Sequence, residues 1–321
     1  MSYARPEAIV EPAWLSKHLG DPSIVIIDAS FHLPTANRDP KEEHVISHIP
    51  GAVFFDINEI ADQKVDLPHM LPNPNDFASK VGELGISENT HVICYDTNGS
   101  AMAGMRAFWT FKVFGHKNIA VLNGGFNKWT KLGYPVSNEF PKTKLANYTC
   151  SQPNPALVTS FEEVKKNVKK KNQQFVDART VGRFCGTEPE PRPGLKGGHV
   201  PNSKNLAFQE MLQTDNYMEL KSADDLRKLF MERGIDPSQP IISSCGSGVT
   251  AAVLYFSLFL IGYDTVSVYD GSWTEWGSKE DTPVTKGPEL NHEETQTPKH
   301  SISARRKSSR ASSRRDEYTD L

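Results

Sequence analysis

One cysteine stands in a setting that supports chemistry. Cys245 ends the run Ile241-Ile242-Ser243-Ser244 and is followed at once by Gly246-Ser247-Gly248-Val249-Thr250. A short apolar strand leads in, and an apolar run without a breaker leads out as far as Gly262. Periodicity and punctuation therefore predict strand, tight loop and buried helix. Glycines let backbone amides converge without Cβ interference, and a helix N-terminus adds its own donors. A concavity of N–H groups stabilises an anion, and a thiolate held in one is a nucleophile at neutral pH. A lone cysteine beside a glycine turn is more often an inert core residue. The strand–Cys–Gly-x-Gly–helix context reverses that preference.

For the loop to work, a sheet must present it at the carboxyl edge. Ile24 to Ile27, ending in Asp28-Ala29, is a continuous apolar run of the kind a buried parallel strand shows. His91 to Tyr95 and residues 119–122 read the same way, and helices are predicted over about 7–20, 75–84 and 103–114. The second half then replays the first. Val176-Asp177-Ala178 repeats Ile27-Asp28-Ala29, and His199-Val200-Pro201 repeats His48-Ile49-Pro50. Ile241–Cys245 repeats Val92–Asp96 and Gly271–Trp276 repeats Gly124–Trp129, all at offsets of 147 to 151 residues. Landmarks in one order at nearly constant spacing indicate a duplicated α/β domain, each copy a mostly parallel sheet flanked by helices. The expected boundaries are a first domain over 8–136, a linker over 137–157, a second domain over 158–286 and a tail over 287–321. Where the second copy has its cysteine loop, the first has Asp96-Thr97-Asn98-Gly99-Ser100. Ligands of open α/β sheets sit beyond the carboxyl ends of the strands, so the chemistry falls to the second copy and the first is expected to wall the site.

Composition narrows the function classes. The chain has 321 residues, enough for two ordinary domains, with 37% hydrophobic and 23% charged residues, as a soluble globular protein has. A net charge of -3 argues against a nucleic-acid partner for the whole chain. Four cysteines in this length are no disulfide framework and suit a reducing compartment. The apolar stretch Ala251 to Ile261 is too short to span a bilayer. The first residues, MSYARPEAIVEP, show no apolar targeting segment, so a cytoplasmic location is expected, with a mitochondrial one kept open. Neither a cofactor nor a metal site is expected.

Within the duplicated frame, CGSGVTA and YDGSWTEW occur with FHLP, HIPGAVFFDI, HMLP, FGH, LNGGF, GRFCGTEPEPR and GHVPNS. Together they resemble the two-domain rhodanese superfamily over about residues 8–285, and within it the enzymes that use 3-mercaptopyruvate. The resemblance implies tandem rhodanese folds and a ping-pong sulfur transfer. Cys245 takes the substrate sulfur as a persulfide, pyruvate leaves, and a thiol acceptor such as thioredoxin, or cyanide, removes the outer sulfur. It implies a catalytic loop of Cys245 and Ser247 with Gly246, Gly248, Val249 and Thr250 around the substrate. Arg183 and Arg192 would clamp the carboxylate and keto oxygen, which suits arginine's fixed donor fork. His69 would be lent by the first domain, or simply pack at the interface. Ser247 would bond the substrate or serve as a turn serine.

The segment Thr180–Arg192 reads as a Gly/Pro-rich loop fixed by Asp177, while Asp56, Trp273 and Trp276 read as structural. Thiosulfate-using members place Arg-Lys directly after the cysteine; Gly246-Ser247 here points away from a dianionic donor. Two positions depart from the family pattern. Asn58 stands where some members have an acid that serves in a proton relay, and an amide is no base. Cys185, two residues after Arg183, is a candidate for an inhibitory disulfide with Cys245 or for receiving its persulfide.

Alternative readings are a thiosulfate sulfurtransferase, and a rhodanese-fold adaptor working through its tail. A tyrosine or dual-specificity phosphatase is a third, and it needs an arginine six residues after the cysteine, where this chain has Ala251. The tail lacks apolar periodicity and is expected to be disordered. Arg305-Arg306-Lys307-Ser308 resembles a kinase site and Thr319-Asp320-Leu321 a PDZ ligand.

Overall fold

Apolar runs that end in a polar residue build two parallel sheets of the same design. In the computed structural model, which describes residues 2–99 and 102–288, the first sheet contains β1 (Ile9–Val10), β2 (Ile24–Asp28), β3 (Val53–Phe54), β4 (His91–Tyr95) and β5 (Ile119–Leu122). Its order is β1-β5-β4-β2-β3, every pair parallel. The second sheet contains β6 (Val158–Thr159), β7 (Gln174–Asp177), β8 (Ser203–Asn205), β11 (Ile241–Ser244) and β12 (Val266–Tyr269). A small antiparallel hairpin, β9 (Leu212–Gln213) with β10 (Glu219–Leu220), stands apart from it. The second order, β6-β12-β11-β7-β8, is the first one again. The tandem α/β architecture expected from the repeat, two mostly parallel sheets flanked by helices, is what the chain adopts.

The register makes the duplication exact to the residue. Asp28 of β2 pairs with Tyr95 of β4, and Asp177 of β7 pairs with Ser244 of β11. Asp96 and Cys245 are thus the first residues beyond equivalent strands. Around the first sheet lie α1 (Pro12–Lys17), α2 (Pro40–Ile46), α3 (Pro74–Glu83), α4 (Met102–Val113) and α5 (Gly125–Lys131). Around the second lie α6 (Phe161–Lys170), α7 (Val181–Cys185), α8 (Ala223–Glu232), α9 (Ala251–Leu260) and α10 (Ser272–Ser278).

Two elements differ from the sequence expectation. The helix predicted over 7–20 is confined to α1, because Ile9 and Val10 pair with Val121 and Leu122 as an edge strand too short to show a period. The segment before Arg192 is not all loop: Val181–Cys185 form one helical turn and a half, closed by Gly186 in the left-handed conformation. No helix among the described residues is long and apolar enough to cross a membrane. The kinase and PDZ motifs of the tail lie outside the described residues.

The two halves meet through α4 and α9, which are buried nearly all round and share one core cluster. Phe108 of α4 meets Phe256 and Phe259 of α9 edge to face, with ring centroids at 4.9 and 5.5 Å. An ion pair is buried in this seam. Arg106 of α4 donates to Asp270 Oδ1 at 2.6 Å, and the other Asp270 oxygen accepts from the Leu71 amide at 2.7 Å. The side chains are 3% and 5% exposed, so removing one partner strands a charge away from water. Asp270→Ala is expected to lower stability by about 3–5 kcal/mol, and adding Arg106→Met to recover part of that loss. Urea unfolding of parent, single and double variants measures both; an unchanged midpoint in the single variant contradicts the assignment.

Candidate active site

Strand β11 delivers Cys245 to the carboxyl edge of the second sheet, and α9 carries the chain away beneath it. The residue is 2% exposed. The six residues between strand and helix, 245–250, bend tightly, and backbone bonding fixes several of their polar groups. The Cys245 carbonyl accepts from the Trp273 amide at 2.9 Å. The Gly246 carbonyl accepts from the Thr274 amide at 2.9 Å and from its hydroxyl at 2.7 Å. The start of α10 thus consumes the loop's carbonyls. Ser272 closes the bend: its hydroxyl accepts from the Cys245 and Gly248 amides, both at 3.1 Å, and donates to the Tyr269 carbonyl at 2.8 Å. The N–H groups of Gly246, Ser247, Val249 and Thr250 have no acceptor among the described residues. Of the amides expected to converge, Gly248's is therefore spent on Ser272. Gly248 contributes its conformation instead, at φ +77°, where a Cβ would lie 2.6 Å from Arg106 Nη1 and 2.9 Å from the Asp270 carbonyl.

Ser247 is 5% exposed and its hydroxyl has no protein partner among the described residues. Val249 is buried, and Thr250 is the N-cap of α9 without a side-chain cap bond. Arg183, on α7, lies over the loop: its Nη2 is 2.8 Å from the position a Cβ would occupy on Gly246. A buried charge chain holds it there. Glu190 Oε2 accepts from Arg183 Nε and Nη2 at 3.2 and 2.6 Å, and Glu190 Oε1 accepts from Arg179 at 2.7 Å. Arg179 also grips Asp177 at 2.6 Å and the Gly198 carbonyl at 2.8 Å, and stacks on Trp273 with 4.3 Å to the ring centroid. Burial works against the Arg179 charge, but Asp177 and Glu190 outweigh it and hold its pKa above the ordinary value. Asp177 so anchors the segment through a side chain that sequence reasoning did not single out.

Arg192 is half-buried with no hydrogen-bond partner among the described residues. Burial pushes its pKa down, Arg183 adds to that, and the charges of Cys245 and Glu190 oppose it. His69 comes from the first half, at φ +64° and 4% exposed, with its ring edge-on to Phe31 at 4.6 Å. Burial first, then the Arg106 and Arg192 charges, push its pKa down to about 3, against a small pull from the Ile57 backbone. Neither ring nitrogen meets a partner at hydrogen-bonding geometry, and Arg106 Nη2 donates to the His69 carbonyl. The loop of Cys245, Arg183, Arg192 and His69 are therefore brought together from both halves.

The remaining candidates lie differently. Asn58 is exposed, its amide donating to Asp56 Oδ1 at 2.8 Å and its carbonyl accepting from Gln63 at 2.6 Å. Cys185 ends α7 with its carbonyl accepting from the Gly287 amide, and all four cysteines are free thiols. Trp273 and Trp276 are buried and donate to the Lys196 and Pro283 carbonyls. No group of three or more His, Cys, Asp or Glu among the described residues could hold a metal ion.

At the equivalent place in the first half the seat is filled. The Asp96 carboxylate accepts from the Asn98 amide at 3.1 Å and the Ala103 amide at 2.8 Å. Burial raises its pKa to about 6 despite these donors. Sequence reasoning missed Arg106, Arg179, Glu190 and Ser272. For Ser272 a signal existed: it takes the position of Gly125 in the repeat and shares its left-handed backbone, at φ +48° against +55°.

Comparison with known proteins agrees with this architecture. The family described as "Rhodanese-like domain" matches residues 11–132 and again 160–279. A rat 3-mercaptopyruvate sulfurtransferase is 39% identical over 274 residues, covering 84% of this chain and 91% of the relative. A rat thiosulfate sulfurtransferase is 41% identical over 276 residues, with the same coverage. The Escherichia coli structure SseA, titled for the fold and mechanism of 3-mercaptopyruvate sulfotransferases, superposes with TM-score 0.73 at 36% identity. That superposition covers 83% of this chain and 98% of the bacterial one.

Two outcomes follow from the site's geometry. Ser272→Ala leaves two buried amides without an acceptor and is expected to cost about 1–3 kcal/mol, read as a lower thermal midpoint. His69 stays neutral in the fold down to pH about 3, against an ordinary value of 6.5. The unfolded chain then binds one more proton below pH 6.5, so this contribution is full above that value and is lost as pH falls towards 3. His69→Asn should flatten the acid limb of the stability profile by up to about 1.4 kcal/mol per pH unit. Urea midpoints at pH 7, 6, 5 and 4 give the comparison.

Proposed function

We propose a donor, an intermediate and an acceptor for this chain, which belongs to the rhodanese family and is a sulfurtransferase. The donor is 3-mercaptopyruvate. The observation that carries the proposal is a buried thiol at an amide-lined bend, with Arg183 over Gly246 and the unpartnered Arg192 nearby. Overall identity to the relatives does not separate 3-mercaptopyruvate from thiosulfate, since relatives named for each match about equally. The loop does. Gly246 and Ser247 add no cation to the seat, which suits a donor with a single carboxylate better than a dianion.

In the reaction, the Cys245 thiolate attacks the donor sulfur. A sulfur–sulfur bond forms and the carbon–sulfur bond breaks, its electron pair leaving on carbon as the enolate of pyruvate. The proton of the donor thiol ends on that carbon, so the balance is one pyruvate and one Cys245 persulfide anion. Arg183 and Arg192 hold the carboxylate and keto oxygen, where the negative charge of the enolate develops. The free amides of Gly246, Ser247, Val249 and Thr250 stabilise thiolate and persulfide alike, so one preorganised seat serves both half-reactions. Ser247 supplies a further donor in the same seat. In the second half-reaction a dithiol such as thioredoxin takes the outer sulfur, leaving as its disulfide with release of hydrogen sulfide and return of the thiolate. Cyanide instead leaves as thiocyanate.

His69, neutral and without a partner, lines the wall as a hydrogen-bonding group rather than a base. With Asn58 at the surface, no acid–histidine relay is needed in this scheme. Four free thiols fit a reducing compartment, which favours the cytoplasm. The adaptor alternative is set aside in favour of the enzyme.

The test is a donor panel. Pyruvate release from 3-mercaptopyruvate is expected from the parent and abolished in Cys245→Ser, while thiosulfate should give a kcat/KM lower by about tenfold or more. Arg183→Lys should raise KM for 3-mercaptopyruvate by about tenfold or more, since lysine cannot reproduce the fork. Equal use of both donors by the parent would sink the donor assignment.

A further inference from the structure

The charges around the seat add up to a selector. Asp177, Arg179, Glu190 and Arg183 form an alternating chain in which each carboxylate lies between or against guanidinium groups, at 2.6 to 2.7 Å. Their four charges cancel. Arg106 and Asp270, at 2.6 Å, cancel one another below the loop. Arg192 has no carboxylate ion-pair partner among the described residues, so apart from the Cys245 thiolate the seat carries one unpaired positive charge. Glu190 sets that number. Its side chain is 3% exposed, so water screens it little, and it sits directly against the guanidinium that lies over Gly246. It spends the Nε–Nη2 edge of Arg183 on itself and leaves Nη1 for a ligand.

We propose that Glu190 is the specificity-determining residue for donor charge: by neutralising Arg183 it leaves a seat matched to a monoanion and penalises a dianion. The assignment rests on the sulfurtransferase reading above, and it extends that reading to a residue that touches no substrate. A carboxylate-bearing thiol such as 3-mercaptopyruvate brings one negative charge at neutral pH, whereas thiosulfate brings two. Against one unpaired cation the second charge has no partner in the seat. Glu190 therefore acts through Arg183 as a positioning and charge-setting group. Glutamine at 190 keeps the shape, removes the negative charge and frees the charge of Arg183.

The experiment compares the full-length parent with Glu190→Gln and Glu190→Asp. Pyruvate formed from 3-mercaptopyruvate and thiocyanate formed from thiosulfate with cyanide are followed separately. Glu190→Gln should raise the thiosulfate-to-3-mercaptopyruvate ratio of kcat/KM by about tenfold or more, the effect of one added unit charge in a partly screened site. Glu190→Asp, which keeps the charge, should restore the parent's ratio. A fall of both donors by the same factor, or an aspartate variant indistinguishable from the glutamine one, would overturn the proposal and leave Glu190 a purely structural residue. A second measurement needs neither turnover nor the variant's folding. Methanesulfonate and sulfate share a shape but carry one and two charges, and each is used to protect Cys245 of the parent from neutral iodoacetamide. Protection at lower concentration by methanesulfonate supports the selector; an equal or reversed order overturns it. A parent that releases no pyruvate strikes the donor assignment alone, because the protection order still reads the charge of the seat.

Discussion

A guanidinium from one half of the molecule is buried against the catalytic edge of the other, and much of the site depends on it. Arg106 leaves α4 and donates to Asp270, to the Gly248 carbonyl and to the His69 carbonyl. Those acceptors belong to the end of the second sheet, the cysteine loop and the first-half wall. One side chain thus sets three elements relative to each other, and it does so where water cannot compete for its donors. Such a pair adds little net stability over a well-packed apolar contact. Its contribution is positional: the loop cannot shift without leaving a buried charge or carbonyl unsatisfied. The first half, although its equivalent loop has no cysteine, therefore takes part in holding the second half's loop.

Around that anchor, the loop is shaped by backbone accounting. Every buried carbonyl and amide needs a partner. Two carbonyls of the bend go to the start of α10 and two amides to Ser272, which leaves the other amides of the bend without acceptors among the described residues. An anion in that curve completes the bonding that the fold leaves open. The arginines follow the same logic at longer range, since Arg179, Asp177 and Glu190 satisfy one another and fix Arg183 as a consequence.

How much of this was legible in the sequence depended on range. Strands such as His91–Tyr95 and the one at about 119–122 were legible, because a buried parallel strand writes itself as an unbroken apolar run. The duplication followed from spacing, and with it the equivalence of Asp96 and Cys245. Ile9–Val10 escaped because two residues have no period, and α7 escaped because the glycines and prolines around it outweighed five helical residues. The site's supports were hidden for a different reason. Arg106 lies in a helix that reads as core, 164 positions before its partner Asp270, and no local pattern announces an ion pair of that separation. Glu190 sits between two prolines and looks like surface; only the fold turns it inward between two arginines.

The filled seat of the first half gives the duplication a further meaning. Asp96 is a carboxylate tethered by nearby backbone, accepting from the Asn98 and Ala103 amides. Cys245 occupies the same place with a thiol, the group on which the proposed transfer turns. The same strand end thus carries a self-tethered carboxylate in one half and a thiol in the other. The half with the carboxylate serves the other as a frame, through Arg106 and the wall that carries His69. The other half's loop is held from outside itself, by Ser272 behind it and by a guanidinium from across the seam.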